Sequence, residues 1–244
     1  MSLLDEVLDA HGGAERWDSV REIRADVRTG GFLPRTRFRG DALADYHLRV
    51  EMAEQHAIIE PFPGAGRRGV FDSGAVRIDD ERGQPVETRD DPRHHFFGRR
   101  GLRRNLRWDA LDTTYFAGYA MWNYMTTPYL LTRDGVEARE GEEWSENGER
   151  WRRLEVDFPP QLHTHSPHQT FYVDDRGTIR RQDYTAEVIG SIAHAAHYCD
   201  DHKDFDGLVF PTKRRVYPRK RNNKPRGRPT IVWIELDEVR LLGG

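Results

Sequence analysis

The sequence predicts an α+β protein, mainly antiparallel β: a curved half-barrel of about ten strands with helices plugging the concave face. Three observations carry this. Apolar and polar residues alternate over most of the chain, hairpin dipeptides punctuate the alternation, and one aromatic stretch near the middle abandons it. A continuous sheet of that size tends to curl, which creates an interior. No clean linker or internal repeat interrupts residues 1–244, so they are read as a single domain.

The N-terminal helix spans 3–20. Leu3, Leu4, Val7, Leu8, His11, Ala14 and Trp17 recur at three- and four-residue steps. Ser2 is its expected cap, and Gly12-Gly13 should kink or split it. Strands follow over 22–90. Ile23, Ala25, Val27 and Thr29 alternate with Arg24, Asp26 and Arg28, and Tyr46, Leu48, Val50 and Met52 alternate with His47, Arg49 and Glu51. Asp80-Glu81-Arg82-Gly83 reads as a hairpin turn.

A helical plug is expected over 92–131, as two or three helices, one of them ended by Thr127-Pro128. Strands return over 136–241. Asn147-Gly148, Asp175-Arg176-Gly177 and Asp206-Gly207 mark three hairpins, and 218–229 is a basic, turn-rich loop.

Composition bounds the function. There are 38 Lys+Arg against 41 Asp+Glu, a net charge of −3, which excludes a polycationic surface for nucleic acid. Basic runs exist at Arg99, Arg100, Arg103, Arg104 and Arg107 and around 213–228, but no nucleic-acid-binding motif accompanies them and acidic runs offset them. The 11 Phe, 9 Tyr and 6 Trp supply enough apolar bulk to exclude disorder for most of the chain. Cys199 is the single cysteine, so an intrachain disulfide and a Cys-rich metal site are excluded. There is no export signal and no membrane span of about 20 apolar residues, so a cytoplasmic protein is expected. No nucleophile elbow, phosphate loop or dinucleotide fingerprint is present, and no cofactor is expected.

Three segments resemble LolA-like proteins, the superfamily of lipoprotein-sorting carriers and mycobacterial lipid-binding lipoproteins. They are Ala10-His11-Gly12-Gly13-Ala14-Glu15-Arg16-Trp17 with Val20-Arg21-Glu22-Ile23, then Thr127-Pro128-Tyr129-Leu130-Leu131 with Gly135-Val136, and Asp204 to Thr212. The resemblance implies a half-barrel with an apolar cavity under a helical lid. It also takes in a violacein-pathway enzyme that works without a cofactor. The expected function is therefore binding of a small hydrophobic or amphipathic molecule. The alternatives are a cofactor-independent enzyme acting on a hydrophobic or aromatic intermediate, and a His-based metal-binding protein. The oligomeric state is left open.

Candidate residues follow from parity. Tyr184, His194 and Tyr198 are expected to face inward from neighbouring strands, where a tyrosine–histidine pair could position a substrate or move a proton. Tyr115, Tyr119 and Trp122 share a helical face and, with Tyr46 and Glu187, are expected to line the ligand site. The bland alternative for all of these is satisfied core polarity. His163, His165 and His197 are the metal candidates; neither histidine group places three ligands on one face by itself, and a carboxylate such as Glu187 would be needed.

Overall fold

The computed structural model describes residues 1–38, 41–97 and 107–243. Within them one antiparallel sheet holds thirteen strands. They are β1 (Val20–Gly30), β2 (Asp45–Glu51), β3 (His56–Glu60), β4 (Arg68–Asp72), β5 (Ala75–Asp79), β6 (Pro85–Asp90), β7 (Glu137–Glu146), β8 (Glu149–Asp157), β9 (His168–Val173), β10 (Ile179–Thr185), β11 (His194–Phe205), β12 (Leu208–Pro218) and β13 (Val232–Gly243). The order across the sheet is β6-β5-β4-β3-β2-β1-β13-β12-β11-β10-β9-β8-β7. The count exceeds the expected ten, and residues 56–90 alone fold into four strands of five or six residues.

The order is two meanders joined where β1 pairs with β13, from Val20 opposite Gly243 to Gly30 opposite Trp233. The edges are β6 and β7, which do not pair, so the curved sheet stays open. Both edges are charged and largely exposed, Pro-Val-Glu-Thr-Arg-Asp on one side and Glu-Ala-Arg-Glu-Gly-Glu-Glu on the other. Charge there opposes edge-to-edge association.

The hairpins fall where the turn residues lie. Asn147 and Gly148 both take positive φ (52° and 86°), as do Asp206 and Gly207 (49° and 88°), the geometry a two-residue hairpin demands. At the N-terminus, α1 (Leu3–Ala10) and α2 (Ala14–Asp18) replace the single helix expected over 3–20. Gly12 divides them at φ 117°, and a Cβ on it would lie 2.2 Å from the Gly207 carbonyl oxygen. The Ser2 cap is present: its hydroxyl accepts the Asp5 N–H at 3.2 Å, and the Asp5 carboxylate accepts the Ser2 N–H at 2.8 Å.

A helix not expected from the sequence, α3 (Phe32–Arg37), interrupts the strands of 22–90. Its first two amides donate to Thr230 and Ile231 carbonyls just ahead of β13, at 3.1 and 2.9 Å, so a distant loop satisfies its open end.

The long helix is α4 (Ala110–Thr126). Asp109 caps it through a capping box with Asp112, and Arg89 of β6 reaches both carboxylates at 2.8 and 2.6 Å. It ends at Thr126, just ahead of Pro128, as expected. Every residue from Leu111 to Thr126 is buried, so the helix has no solvent face. It packs against β2 to β6. Short 3-10 turns at Pro92–Phe96 and Tyr129–Thr132 flank it. The Arg99, Arg100, Arg103 and Arg104 run lies outside the described residues.

Close approach between α4 and β4 depends on Gly118. A Cβ there would meet the Phe71 Cβ at 2.3 Å. Gly118→Ala should gain about 1 kcal/mol of helix propensity and lose more from forced displacement of the helix. A net destabilisation of about 2 kcal/mol is expected, read as a fall of ~4–8 °C in Tm; an unchanged or raised Tm would contradict this packing.

Candidate functional site

The tyrosines of α4 face a loop that the fold brings across from the opposite half of the sheet. Residues 158–167, between β8 and β9, form this loop, which carries His163 and His165. Spacing matches on the two sides. Tyr115 hydroxyl lies 2.9 Å from His163 Nδ1, and Tyr119 hydroxyl, one turn on, lies 3.0 Å from His165 Nδ1. Gln55 donates to the His163 carbonyl at 3.0 Å and accepts its N–H at 2.8 Å, and Asn123 donates to the same carbonyl at 3.1 Å.

His165 is the centre of the arrangement. Its Nε2 lies 2.7 Å from the Tyr124 hydroxyl, and its ring stacks on Tyr184 at 4.0 Å between centroids and 10° between planes. Tyr124 hydroxyl reaches Tyr184 hydroxyl at 3.1 Å, and Tyr184 hydroxyl reaches His197 Nδ1 at 3.4 Å. The result is a single-file chain, Tyr119–His165–Tyr124–Tyr184–His197. Burial pushes His165 down to about 3 and His163 to about 4, assisted in each case by the Arg93 guanidinium. Burial likewise pushes His197 well below the usual histidine range and Tyr119, Tyr124 and Tyr184 above the usual tyrosine range. All five groups are therefore neutral near pH 7. A neutral imidazole offers one donor and one acceptor, so one of Tyr119 and Tyr124 donates to His165 and the other accepts from it. His197 Nε2 is buried without a hydrogen-bond partner.

Beside this chain lies a cavity of about 250 Å³. Leu33 of α3, Phe116 of α4, Ala195 of β11, Val216 of β12 and Ile231 line it, with His165 and Tyr184 as its aromatic wall. Thr36 and Arg37 are its other polar lining, and Phe32, 56% exposed, is its most accessible apolar one. A smaller void of about 50 Å³ shares Phe116, Tyr184 and Val216 and continues to Tyr46 and Tyr124. A larger hollow of about 690 Å³, between Trp17 and Arg133, is an open surface groove that mixes apolar Val20, Met52 and Leu130 with charged Asp18, Arg21, Glu22 and Glu51. Binding sites for small molecules are mostly apolar with few polar groups, which favours the 250 Å³ cavity over the larger groove.

The expected inward trio does not converge. Residues 186–193 turn instead of extending both strands, so Thr185 pairs with His194 and Tyr184 with Ala195. Tyr184 faces inward beside His197. His194 is exposed, with Nδ1 2.9 Å from Thr185 Oγ1, and Tyr198 lies on the other face, donating to Glu146. Of the ligand candidates, Tyr46 lines the smaller void. Tyr115, Tyr119 and Trp122 line neither space. Trp122 donates to the Glu51 carbonyl at 2.8 Å, and Glu187 pairs with Arg93 at 2.7 Å. His163, His165 and His197 do not form a metal-ligand set: among the described residues no three His, Cys, Asp or Glu groups gather for an ion. Sequence reasoning missed Leu33, Ala195 and Arg37. The match of Tyr115 and Tyr119 to His163 and His165 was the available signal for the chain of hydroxyls and imidazoles.

No family model matches the sequence, and no curated protein matches it. Solved structures do. A LolA superfamily protein from Nitrosomonas europaea aligns over 98% of this chain and 92% of its own, with TM-score 0.53 and 11% identity. A DUF1329 family protein from Desulfovibrio piger aligns over 98% and 91%, with TM-score 0.53 and 12% identity. A domain described as outer-membrane lipoprotein-sorting, from Vibrio parahaemolyticus, aligns over 99% and 92%, with TM-score 0.53 and 9% identity. At these identities the likeness establishes the fold: the chain has a LolA-like architecture.

Proposed function

We propose that this protein binds a small hydrophobic or amphipathic molecule in the 250 Å³ cavity, with α4 plugging the concave face of a single-domain half-barrel. The observation that carries this is the lining. Among the described residues, an apolar space bordered by Phe116, Ala195, Val216 and Ile231 is lined by no carboxylate and a single cation. The lipoprotein-sorting description of the Vibrio relative supports a scaffold suited to apolar cargo. Size favours a smaller guest than a long acyl chain. At the ~30 Å³ that a liquid water occupies, the cavity of about 250 Å³ holds about eight non-hydrogen atoms. The proposal keeps a cytoplasmic location, consistent with a single cysteine and testable by cell fractionation.

A second reading is favoured by the chain of hydroxyls and imidazoles, because His165 and Tyr184 belong both to it and to the cavity wall. In an enzyme these two, rather than Tyr184 with His194 and Tyr198, would meet a substrate. Neutral groups in single file can pass a proton in concert, whereas none of them carries a charge to donate.

Two measurements follow. An uncharged fluorescent probe such as N-phenyl-1-naphthylamine should bind the protein, and Ala195→Phe, which fills the cavity, should weaken it about tenfold or more with an unchanged circular-dichroism spectrum. Equal binding by both proteins would remove the cavity from the function. For His165 the sign is set by a folded-state value below the unfolded 6.5. Its contribution to stability is complete above pH 6.5 and is lost as pH falls toward about 3, since only the unfolded chain takes up the proton. His165→Gln should flatten the fall of unfolding free energy between pH 6.5 and 4.5 by roughly 1 kcal/mol per pH unit. An imidazole midpoint above pH 5.5 by NMR would show that His165 is not buried as described.

A further inference from the structure

We propose that the occupant of this cavity is a small amphiphilic carboxylate whose anionic head is held by Arg37; this rests on the ligand-binding proposal above and narrows its chemistry. Arg37 ends α3 and, among the described residues, is the only cationic side chain lining the cavity, where no Asp or Glu of the described residues joins it. Its Nε is buried and has no hydrogen-bond partner. No ion pair of Arg37 occurs among the described residues, and residues 39–40, 98–106 and 244 include no Asp or Glu that could supply one.

Other withdrawn arginines have protein partners: Arg133 donates to the Met52 and Ala53 carbonyls and Arg214 to the Tyr124 carbonyl and Cys199 Sγ, and three more pair with acids. Arg89 has Asp109 and Asp112, Arg93 has Glu187, and Arg181 has Glu146 and Asp183. A guanidinium partly withdrawn from water without a counter-charge is costly, and an incoming carboxylate removes that cost through paired N–H···O bonds.

The rest of the cavity dictates where a polar head can go. Both nitrogens of His165 and the hydroxyl of Tyr184 are committed to one another's network. The Thr36 hydroxyl donates to the Phe32 and Leu33 carbonyls at 3.0 and 3.2 Å. The wall therefore offers aromatic and aliphatic faces to an apolar body, and among the described side chains that line it Arg37 alone offers free donors to a head. One guanidinium matches one negative charge; a phosphate monoester would bring about −1.5 to −2 and leave part of it uncompensated.

The experiment displaces a bound apolar dye with octanoate, 1-octanol, octylammonium and octyl phosphate, matched in chain length, using the full chain. Octanoate should bind about tenfold more tightly than octanol, with octylammonium weakest. Arg37→Gln should bring octanoate to the level of octanol while leaving octanol unchanged, and Arg37→Lys should keep part of the preference. Equal affinity for octanoate and octanol in the parent protein overturns the proposal. So does an Arg37→Gln variant that weakens both alike, which would report structural damage. Tighter binding of octyl phosphate overturns the assignment to a carboxylate. If dye and probes bind but ignore Arg37, the cavity survives and the anionic head does not. If nothing binds and Ala195→Phe changes nothing, the cavity proposal itself fails and takes this one with it.

Discussion

The pairing of β1 with β13 imposes the constraint on which the rest depends. It joins two meanders back to back, so β6 and β7, consecutive in sequence, stand at opposite edges of a thirteen-stranded sheet. The chain between them has to travel from one edge to the other. A buried segment on this path must be largely apolar and must hydrogen-bond its backbone internally. Across β2 to β6 that segment is α4, which bonds its own backbone, has no solvent face and hydrogen-bonds its polar side chains inside the protein. Its aromatic composition is thus a consequence of topology before it is a matter of ligand chemistry.

The three segments that carry the LolA-like resemblance meet in space. Val209 N–H donates to the His11 carbonyl at 3.2 Å, Arg16 donates to the Asp206 carbonyl at 2.7 Å, and Trp17 packs on Tyr129 at 4.0 Å and on Phe210 at 5.7 Å. They close the end of the sheet near Phe205, whereas the cavity lies near Ala195, roughly 30 Å away along β11 at the usual rise per residue. The signature therefore reports how the fold is locked, and it says little about what the other end holds.

The face of α4 turned to the 158–167 loop is polar in detail and apolar in bulk. Each buried hydroxyl and imidazole there costs more if orphaned than a hydrogen bond returns, about 1–3 kcal/mol against ~1. Their value lies in position: Tyr115 and Tyr119 fit His163 and His165 in one register only. That register fixes Tyr184 and Phe116 as cavity wall, so the polar network shapes an apolar space it barely enters. The basic loop 218–229 has a comparable role on the other face. Its Asn223 carbonyl accepts from buried Arg181, and its Arg219 lies 3.5 Å from Asp183.

Local pattern alone placed the alternating strands around Ile23 and Leu48, the hairpins at Asn147-Gly148 and Asp206-Gly207, the break at Gly12-Gly13 and the end of α4 before Pro128. Those features follow from local rules, period two for half-buried strands and special φ for turns. It did not determine α3, whose first amides are satisfied by residues 230 and 231, nor the face on which His194 lies. Parity along one strand cannot supply the length of the turn that links it to the next. Only the tertiary structure set Tyr184 opposite Ala195, brought Arg37 to the cavity from 158 residues before Ala195, and left it without a carboxylate. Sites of that kind are made by long-range pairing, and long-range pairing leaves no periodic trace in the chain.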